Sequence, residues 1–314
     1  MAATTTSARA QASVETSQES RTRSGAVVAL AQLAPRLGDL ETNLDRHLAA
    51  IEDARQKGAN LVVFPELSLT GYFLKDLVPD VALTERSPQL AAIAAACKDV
   101  DAVVGCVYET DDARFYNAAL YFSGGRLAHV HRKVYLPTYG LFDEARYFSQ
   151  GDEFRNFVLP MASANPRHPW TAGILICEDL WHPTSVALLA RQGMDVLICV
   201  SSSPGRGVGA DGELGTASSY DVMTRTFGQL YTTYVVYCNR VGFEDGVNFW
   251  GGSRVVDPQG ALVADPAGRK EELILARLDL DAIRRARIAN PLLRDERHDV
   301  NDAQTDRIRR SARD

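Results

Sequence analysis

The 314-residue chain alternates short apolar segments with longer segments whose apolar residues recur every three or four positions. A short apolar run between turn residues predicts a β-strand, and recurrence at helical spacing predicts an amphipathic helix. Leu44, Leu48 and Ile51 recur at helical spacing ahead of Gly58, a common helix stop. The predicted strands cover 27–33, 61–66, 102–109, 117–122, 126–131, 173–176, 195–200, 234–239, 254–257, 262–264 and 272–280. The predicted helices cover 40–57, 88–98, 184–192 and 219–229, and a further helix with an extended arm follows residue 281.

This order mixes strand–helix–strand crossovers with hairpins, such as the one across Ser123-Gly124-Gly125. Crossovers make parallel neighbours and hairpins make antiparallel ones, so we expect mixed sheets covered by helices in a layered α/β sandwich. The length and the 46% apolar content suit one large α/β domain, which we place at 26–297. Residues 1–25, rich in Ala, Thr, Ser and Arg, are predicted to be a disordered tail, and 298–314 a charged C-terminal tail.

Composition narrows the class of partner. The 34 basic and 40 acidic residues give a net charge of −6 without a dense basic stripe, which favours a small-molecule substrate over nucleic acid or an anionic membrane. The five cysteines are scattered through apolar runs, as in a cytoplasmic protein with reduced thiols, and their spacing suggests no metal site. No apolar run reaches the roughly 18 residues of a membrane span, and residues 1–25 lack the apolar block of a secretory signal.

Three apolar strands each end in a side chain suited to acid–base or nucleophilic chemistry: Glu66, Lys133 and Cys177. A thiol becomes an effective nucleophile when a base takes its proton and a cation offsets its charge, because an unperturbed Cys has a pKa of about 8.5. Glu66 is the candidate base, Lys133 the candidate oxyanion donor and Cys177 the candidate nucleophile. The backbone N–H of Glu178 is a candidate second oxyanion donor. Taken singly, each side chain has an ordinary alternative as a strand-end acid, a surface cation or a core thiol.

Further polar positions lie near these three. Glu144 is in an aromatic and acidic segment shortly after Lys133 and is a candidate to orient that lysine or a substrate amine. If the strand continues to Lys133, His129 and His131 lie on the same face, where we interpret them as structural support, because no third ligand is spaced to complete a metal site. Ser202 begins a Ser- and Gly-rich loop that lacks the Lys-Ser/Thr of a phosphate loop, so an ordinary loop is favoured over a phosphate cradle.

Three separated segments resemble the motifs of the nitrilase superfamily of carbon–nitrogen hydrolases: Phe-Pro-Glu-Leu-Ser-Leu-Thr-Gly-Tyr at 64–72, His-Arg-Lys at 131–133 and Ile-Cys-Glu-Asp at 176–179. The resemblance runs from Val27 to about Arg297. It implies a four-layer α-β-β-α sandwich, no cofactor, and subunits that pair as a homodimer. It also implies that Glu66, Lys133 and Cys177 form the catalytic triad and that Glu144 is the auxiliary glutamate.

Within the superfamily, segments 136–148 and 177–183 are most similar to the glutaminase domain of glutamine-dependent NAD synthetase. The chain has no Ser-Gly-Gly-x-Asp-Ser pyrophosphatase loop, which argues against NAD synthesis by this chain alone. Glu178 follows the cysteine where nitrile-hydrolysing relatives usually have Trp, and this disfavours a nitrile substrate. The residues expected to contact the substrate are Tyr72, Tyr139, Phe142, Glu178, Trp181 and Ser202.

The predicted activity is hydrolysis of a small linear amide through a cysteine thioester, with release of ammonia. Two alternatives stay open at this point: hydrolysis of an N-carbamoyl amine, and a glutaminase-type subunit that supplies ammonia to a separate synthetase. A third reading, an interaction module without catalysis, is disfavoured because the three reactive side chains are all present.

Overall fold

The computed structural model describes residues 25–160, 169–207 and 214–311. Its strands are β1 Gly25–Gln32, β2 Leu61–Val63, β3 Asp101–Glu109, β4 Phe115–Ser123, β5 Arg126–Arg132, β6 Phe157–Leu159, β7 Trp170–Ile176, β8 Val196–Ser201, β9 Tyr234–Asn239, β10 Val241–Glu244, β11 Val247–Trp250, β12 Arg254–Val256 and β13 Glu272–Asp279. Its α-helices are α1 Leu40–Gln56, α2 Val78–Val81, α3 Pro88–Ala96, α4 Pro183–Arg191, α5 Gly215–Leu230, α6 Leu280–Ala289, α7 Leu292–Asp295 and α8 His298–Ser311. Short 3₁₀ turns cover Lys75–Leu77, Glu144–Arg146 and Cys177–Trp181.

Two mixed sheets organise the chain, as the sequence predicted. The first has the strand order β13-β1-β2-β3-β4-β5, and the second has the order β12-β9-β8-β7-β6. Neighbours are parallel in the middle of each sheet, at β1–β2–β3 and β7–β8–β9, and antiparallel elsewhere. The hairpin β10–β11 forms a separate two-stranded ribbon.

The alternation of side chains along β1 explains how the layers stack. Val28 and Leu30 point into a core shared with Ile174 and Ile198 of the second sheet, while Ala29 lies in the core beneath α1 and α3. A further core packs α4 and α5 on the outer face of the second sheet. The four-layer α-β-β-α sandwich is thereby confirmed.

Some predicted elements differ from the structure. The hairpin predicted at 254–257 and 262–264 is shorter than expected. Arg254–Val256 is a strand, and the returning segment pairs with it only through an antiparallel bridge between Val256 and Leu262 and a hydrogen bond of 2.9 Å from the Val263 N–H to the Val255 oxygen. The Asp257 carboxylate accepts hydrogen bonds from the N–H groups of Gln259 and Ala261 and closes a tight local turn there. The sequence analysis also missed β6 and the β10–β11 hairpin.

Of the two predicted tails, the structure describes the C-terminal one through residue 311 and only Gly25 of the N-terminal one. The tail predicted at 1–25 lies outside the described residues except for Gly25. At the other end α8 is a helix with an exposed surface, tied to α4 by an ion pair of 2.6 Å between Asp302 and Arg191. None of the helices in the described ranges has the length and apolar character needed to cross a bilayer. The domain boundaries and the homodimer stay predictions.

Candidate active site

Glu66 lies in a loop that follows β2 and folds tightly onto β3. The next residue, Leu67, has φ of +49°, which turns the chain sharply. Gly105 in β3 permits this close approach, because a Cβ there would lie 2.4 Å from both the Leu67 nitrogen and the Pro65 oxygen. The Leu69 N–H also donates to the Gly105 oxygen at 3.0 Å. The loop therefore holds the Glu66 carboxylate, which is 1% exposed, at the end of the first sheet.

Lys133 directly follows β5 at the same end of that sheet. Its backbone N–H donates to the Asn117 oxygen at 2.9 Å, and its oxygen accepts from the Gly151 N–H at 2.8 Å. The side chain is fully buried. Its Nζ donates to Oε1 of Glu66 and to Oε1 of Glu144, both at 2.7 Å. The structure thus joins three of the four predicted catalytic residues in one hydrogen-bonded cluster.

Cys177 directly follows β7 of the second sheet, at the sharp corner where a 3₁₀ turn begins. Its φ of +45° is in the left-handed region, which is uncommon for a residue other than Gly and costs on the order of 1–3 kcal/mol. The side chain is 7% exposed, and its Sγ lies 3.3 Å from Tyr220 Oη. The charges of Glu66 and Lys133 both act on this thiol across the gap between the sheets.

Asp179, two residues after Cys177, links the corner to the segment that follows β5 of the other sheet. Its Oδ1 accepts from the N–H groups of Val134 at 3.1 Å and Tyr135 at 2.9 Å, in the segment after β5. Its Oδ2 accepts from the Ile176 N–H at 3.0 Å and lies 2.9 Å from His131 Nε2. His131 is therefore structural support, as predicted. The sequence analysis had not assigned a role to Asp179.

The carboxylate of Glu66 is held by two further donors. Asn117 Nδ2 donates to its Oε1 at 2.7 Å, and the Ser202 N–H donates to its Oε2 at 2.7 Å. The Ser202 hydroxyl donates to the Glu66 backbone oxygen at 2.8 Å, and the whole residue is buried. The structure thus places Ser202 behind Glu66 as a positioning residue, where the sequence predicted a contact with substrate. Its donors are already engaged by Glu66.

A cluster of aromatic and charged side chains lies beside the cysteine corner. The Tyr139 hydroxyl donates to Oε2 of Glu178 at 2.9 Å, and Tyr139 is 53% exposed. Phe142 packs edge-on against Tyr139, with ring centroids 5.7 Å apart. The Arg206 guanidinium lies 5.6 Å from the centre of the Phe142 ring. Glu178, Tyr139 and Phe142 are thus together as predicted, and Arg206 adds a cation that the sequence analysis missed.

On the other side of Lys133, Tyr72 and Glu144 border a cavity of about 140 Å³. The Tyr72 hydroxyl donates to Oε1 of Glu144 at 2.5 Å, and the backbone N–H of Tyr72 donates to Oε1 of Glu244 at 2.8 Å. Glu244 is itself paired with Arg240 in the interior, at 2.7 Å. Cys177 does not line this cavity. Tyr72, predicted to contact the substrate, therefore bonds to Glu144, and its contact with substrate stays a prediction.

Trp181, the last predicted contact residue, lies on the outer side of the cysteine turn and is 41% exposed. Its Nε1 donates to Tyr220 Oη at 3.2 Å. Tyr220 belongs to α5 and was not predicted, because it is 43 residues from the nucleophile and its position in an ordinary amphipathic helix gives no signal of function.

Comparison with known proteins identifies the family of the chain. The family described as carbon–nitrogen hydrolase matches residues 27–288. The chain belongs to this family, within the nitrilase superfamily.

Individual relatives place this carbon–nitrogen hydrolase more closely. A glutamine-dependent NAD(+) synthetase of Thermotoga maritima is 36% identical over 270 residues, which cover 84% of the chain and 44% of the relative. The structure of a glutamine-dependent NAD+ synthetase from Acinetobacter baumannii has a TM-score of 0.70 and 30% identity, covering 82% of the chain and 46% of that protein. A carbon–nitrogen hydrolase from Helicobacter pylori has a TM-score of 0.75 and 25% identity, covering 88% and 97%. The chain thus spans about half the length of the synthetases it matches.

The electrostatics of the hydrolase site set the resting protonation states. Burial, together with the charge of Glu66, raises the pKa of Cys177 to about 12, although Lys133 opposes the shift. Burial opposes the charged form of Lys133, yet Glu144 and Glu66 outweigh it and raise the lysine pKa well above its usual value. Burial raises the pKa of Glu144 to about 7 against the pull of Lys133. The resting site therefore holds a neutral thiol beside a permanent ammonium, and a thiolate forms only when a base accepts the proton.

Proposed function

We propose that this carbon–nitrogen hydrolase cleaves the side-chain amide of L-glutamine, releasing ammonia and leaving glutamate. The observation that carries the proposal is a pair of opposite charges beside the buried thiol: Glu178, which follows Cys177 in the chain and accepts from Tyr139, and Arg206, which packs over Phe142. A free α-amino acid presents an ammonium and a carboxylate, which fit these two groups, while its side-chain amide extends toward Cys177. The glutamine-dependent relatives support the same substrate.

The first half of the reaction forms a thioester. Glu66 takes the proton of the Cys177 thiol as the sulfur attacks the amide carbon and a carbon–sulfur bond forms. The former carbonyl oxygen becomes an oxyanion, which Lys133 Nζ stabilises by a charge-assisted hydrogen bond. When the intermediate collapses, the carbon–nitrogen bond breaks and Glu66 returns the proton to the departing nitrogen, so that ammonia leaves.

The second half restores the enzyme. Glu66 takes a proton from a water molecule, whose oxygen attacks the thioester carbon. Lys133 again stabilises the oxyanion, and the carbon–sulfur bond breaks to give the carboxylic acid. The proton held by Glu66 returns to the sulfur. Atoms balance without a cofactor, because water supplies the oxygen and both hydrogens.

The test is an ammonia-release assay on L-glutamine, short aliphatic amides, N-carbamoyl amines and nitriles. Glutamine is expected to give the highest kcat/KM, and Cys177→Ala is expected to lose nearly all turnover while keeping its fold. Glu178→Gln and Arg206→Gln are expected to raise KM for glutamine about tenfold or more, since each removes one charged hydrogen-bond partner of the substrate. The same two variants should leave kcat/KM for propionamide near the parent value.

Two results would contradict the proposal. One is turnover by Cys177→Ala equal to the parent, which would remove the thiol mechanism. The other is a preference for an aliphatic amide or an N-carbamoyl amine, with glutamine turnover insensitive to Glu178→Gln and Arg206→Gln. A separate assay adds an ammonia-dependent synthetase and measures its product, which tests whether the released ammonia is passed to a partner enzyme.

A further inference from the structure

Tyr220 brings a hydroxyl to the Cys177 sulfur. It lies on α5, is 1% exposed, and its Oη sits between two groups of the cysteine turn. The Cys177 sulfur is 3.3 Å away, and Trp181 Nε1 is 3.2 Å away. Nothing in the triad mechanism uses this hydroxyl.

The hydrogen-bond roles at Tyr220 follow from its neighbours. An indole N–H can only donate, so the Tyr220 oxygen accepts from Trp181. The hydroxyl proton then needs an acceptor, and the Cys177 sulfur is the acceptor within reach of it among the described residues. Once the sulfur is a thiolate, it carries no proton and can only accept.

We propose that Tyr220 is a catalytic residue that donates a hydrogen bond to the Cys177 sulfur and stabilises the thiolate during proton transfer to Glu66. The inference deepens the proposed function, since it takes Cys177 as the nucleophile. Lys133 donates a hydrogen bond to the substrate oxygen, whereas Tyr220 donates one to the sulfur. Tyr220 keeps its own proton throughout, and no further acceptor is needed.

The surroundings of Tyr220 suit a fixed donor. Its ring stacks on Tyr237 with centroids 4.6 Å apart at 27°, and it lies edge-on to Trp181 at 5.7 Å. These two ring contacts restrict rotation of the Tyr220 side chain and keep its oxygen near the sulfur. Burial and the charge of Cys177 raise the pKa of Tyr220 well above its usual value, so the hydroxyl remains a donor at working pH.

The first test follows the sulfur directly. The rate of carboxamidomethylation of Cys177 by iodoacetamide is measured from pH 6 to pH 10 by peptide mass spectrometry, because four other cysteines are present. Tyr220→Phe is expected to slow labelling about tenfold at pH 8 and to shift the pH profile upward, since a hydrogen bond to a charged group is lost. Tyr237→Phe is the matched control. It removes one hydroxyl from the same stacked pair, but its oxygen makes no hydrogen bond to the thiol.

The second test uses ammonia release from glutamine. Tyr220→Phe is expected to lower kcat about tenfold to a hundredfold with little change in KM, while Tyr237→Phe stays near the parent. Thermal unfolding of both variants checks that they share the parent fold. Equal labelling profiles for Tyr220→Phe and Tyr237→Phe would overturn the inference.

The two proposals fail in distinguishable ways. If Cys177→Ala keeps its turnover, the proposed function fails, and the labelling comparison still decides whether Tyr220 contacts the sulfur. If Cys177→Ala is inactive but Tyr220→Phe matches the parent in labelling and in kcat, only the role of Tyr220 is wrong.

Discussion

At the scale of single residues, the site is organised by two carboxylates that share one ammonium. Glu66 and Glu144 each place an oxygen 2.7 Å from Lys133 Nζ, but only Glu66 is also braced by Asn117 and the Ser202 backbone. Glu144 has one buried oxygen, Oε2, without a hydrogen-bond partner among the described residues. The two acids are therefore held differently, and burial raises the pKa of Glu144 to about 7.

Glu144 is expected to produce a pH dependence near 7. Its pKa is raised to about 7 by burial, so the carboxyl is neutral below that pH and ionised above it, where it accepts from Lys133 and Tyr72. The kcat/KM of the parent should rise through pH 7 and level off. Glu144→Gln resembles the neutral form and should give low activity without this rise. Measuring kcat/KM of both proteins from pH 5.5 to 9 checks this prediction. Asp143→Asn, which changes an exposed neighbouring acid, is the control and should keep the rise. A rise that persists in Glu144→Gln would belong to another group.

The sequence could predict the reactive residues at this scale for a physical reason. Lys133 and Cys177 directly follow apolar strands and Glu66 lies three residues after β2, so the apolar runs indicate where these side chains lie. Their catalytic roles are predictions that came from the resemblance to the nitrilase superfamily. Tyr220 and Arg206 reach the site from a helix and a loop distant in the chain. Their contacts depend on how α5 and the 201–207 loop pack against the second sheet. The spacing of apolar residues along the chain does not determine this packing.

At the scale of elements, strand interiors were predictable and irregular segments were not. The apolar runs in β1 and β8 are strong signals, whereas β6 has three residues and little pattern. The β10–β11 hairpin carried a usable signal that was overlooked: Asp245-Gly246, with φ of +50° and +79°, is the sequence preferred in a two-residue turn. The conformation of the Glu66 loop could not be predicted from its own sequence, because it depends on Gly105 in the neighbouring strand β3, which has no side chain.

Gly105→Ala is expected to displace that loop. The added Cβ would meet the Leu67 nitrogen and the Pro65 oxygen at 2.4 Å, and backbone atoms cannot move aside without moving Glu66. We expect a loss of about 1–3 kcal/mol in the free energy of unfolding, as for overpacking, and a large fall in kcat. Urea unfolding and the glutamine assay measure both.

The control for this variant is Gly268→Ala, where the nearest atom would lie at 3.6 Å, an ordinary contact. It should differ little from the parent in stability and kcat. A Gly105→Ala protein with parent activity would show that the loop tolerates the added methyl group.

At the scale of the whole molecule, a buried histidine couples stability to pH. His47 of α1 lies 2.6 Å from the Asn43 oxygen through Nδ1 and 2.9 Å from Ser68 Oγ through Nε2, and its ring stacks on Phe64 at 4.2 Å. Nδ1–H donates to the carbonyl, so Nε2 accepts from the Ser68 hydroxyl in the neutral ring. Burial lowers the pKa of His47 from 6.5 to about 4. The helix layer is thus joined to the Glu66 loop by a neutral imidazole.

The sign of the pH effect follows from proton binding. Between pH 6.5 and 4 the unfolded chain binds a proton at His47 that the folded chain does not, so stability is complete above 6.5 and falls toward 4. The contribution is about 2 kcal/mol between pH 7.5 and 5. Urea unfolding at the two pH values measures it. His47→Gln should show a shallower fall, and His298→Gln, in the outer helix α8, should match the parent. Equal slopes for all three proteins would exclude His47 as the cause.

The Asp179 carboxylate has a consequence for motion. It bonds to backbone on both sheets, to the segment that carries the ammonium and to the corner that carries the sulfur. Because one carboxylate holds both segments, we expect the ammonium and the sulfur to keep their spacing when the layers move, so that the gap for a planar amide keeps its width. Rearrangement of the outer loops can then alter which molecules are admitted without retuning the chemistry beneath them.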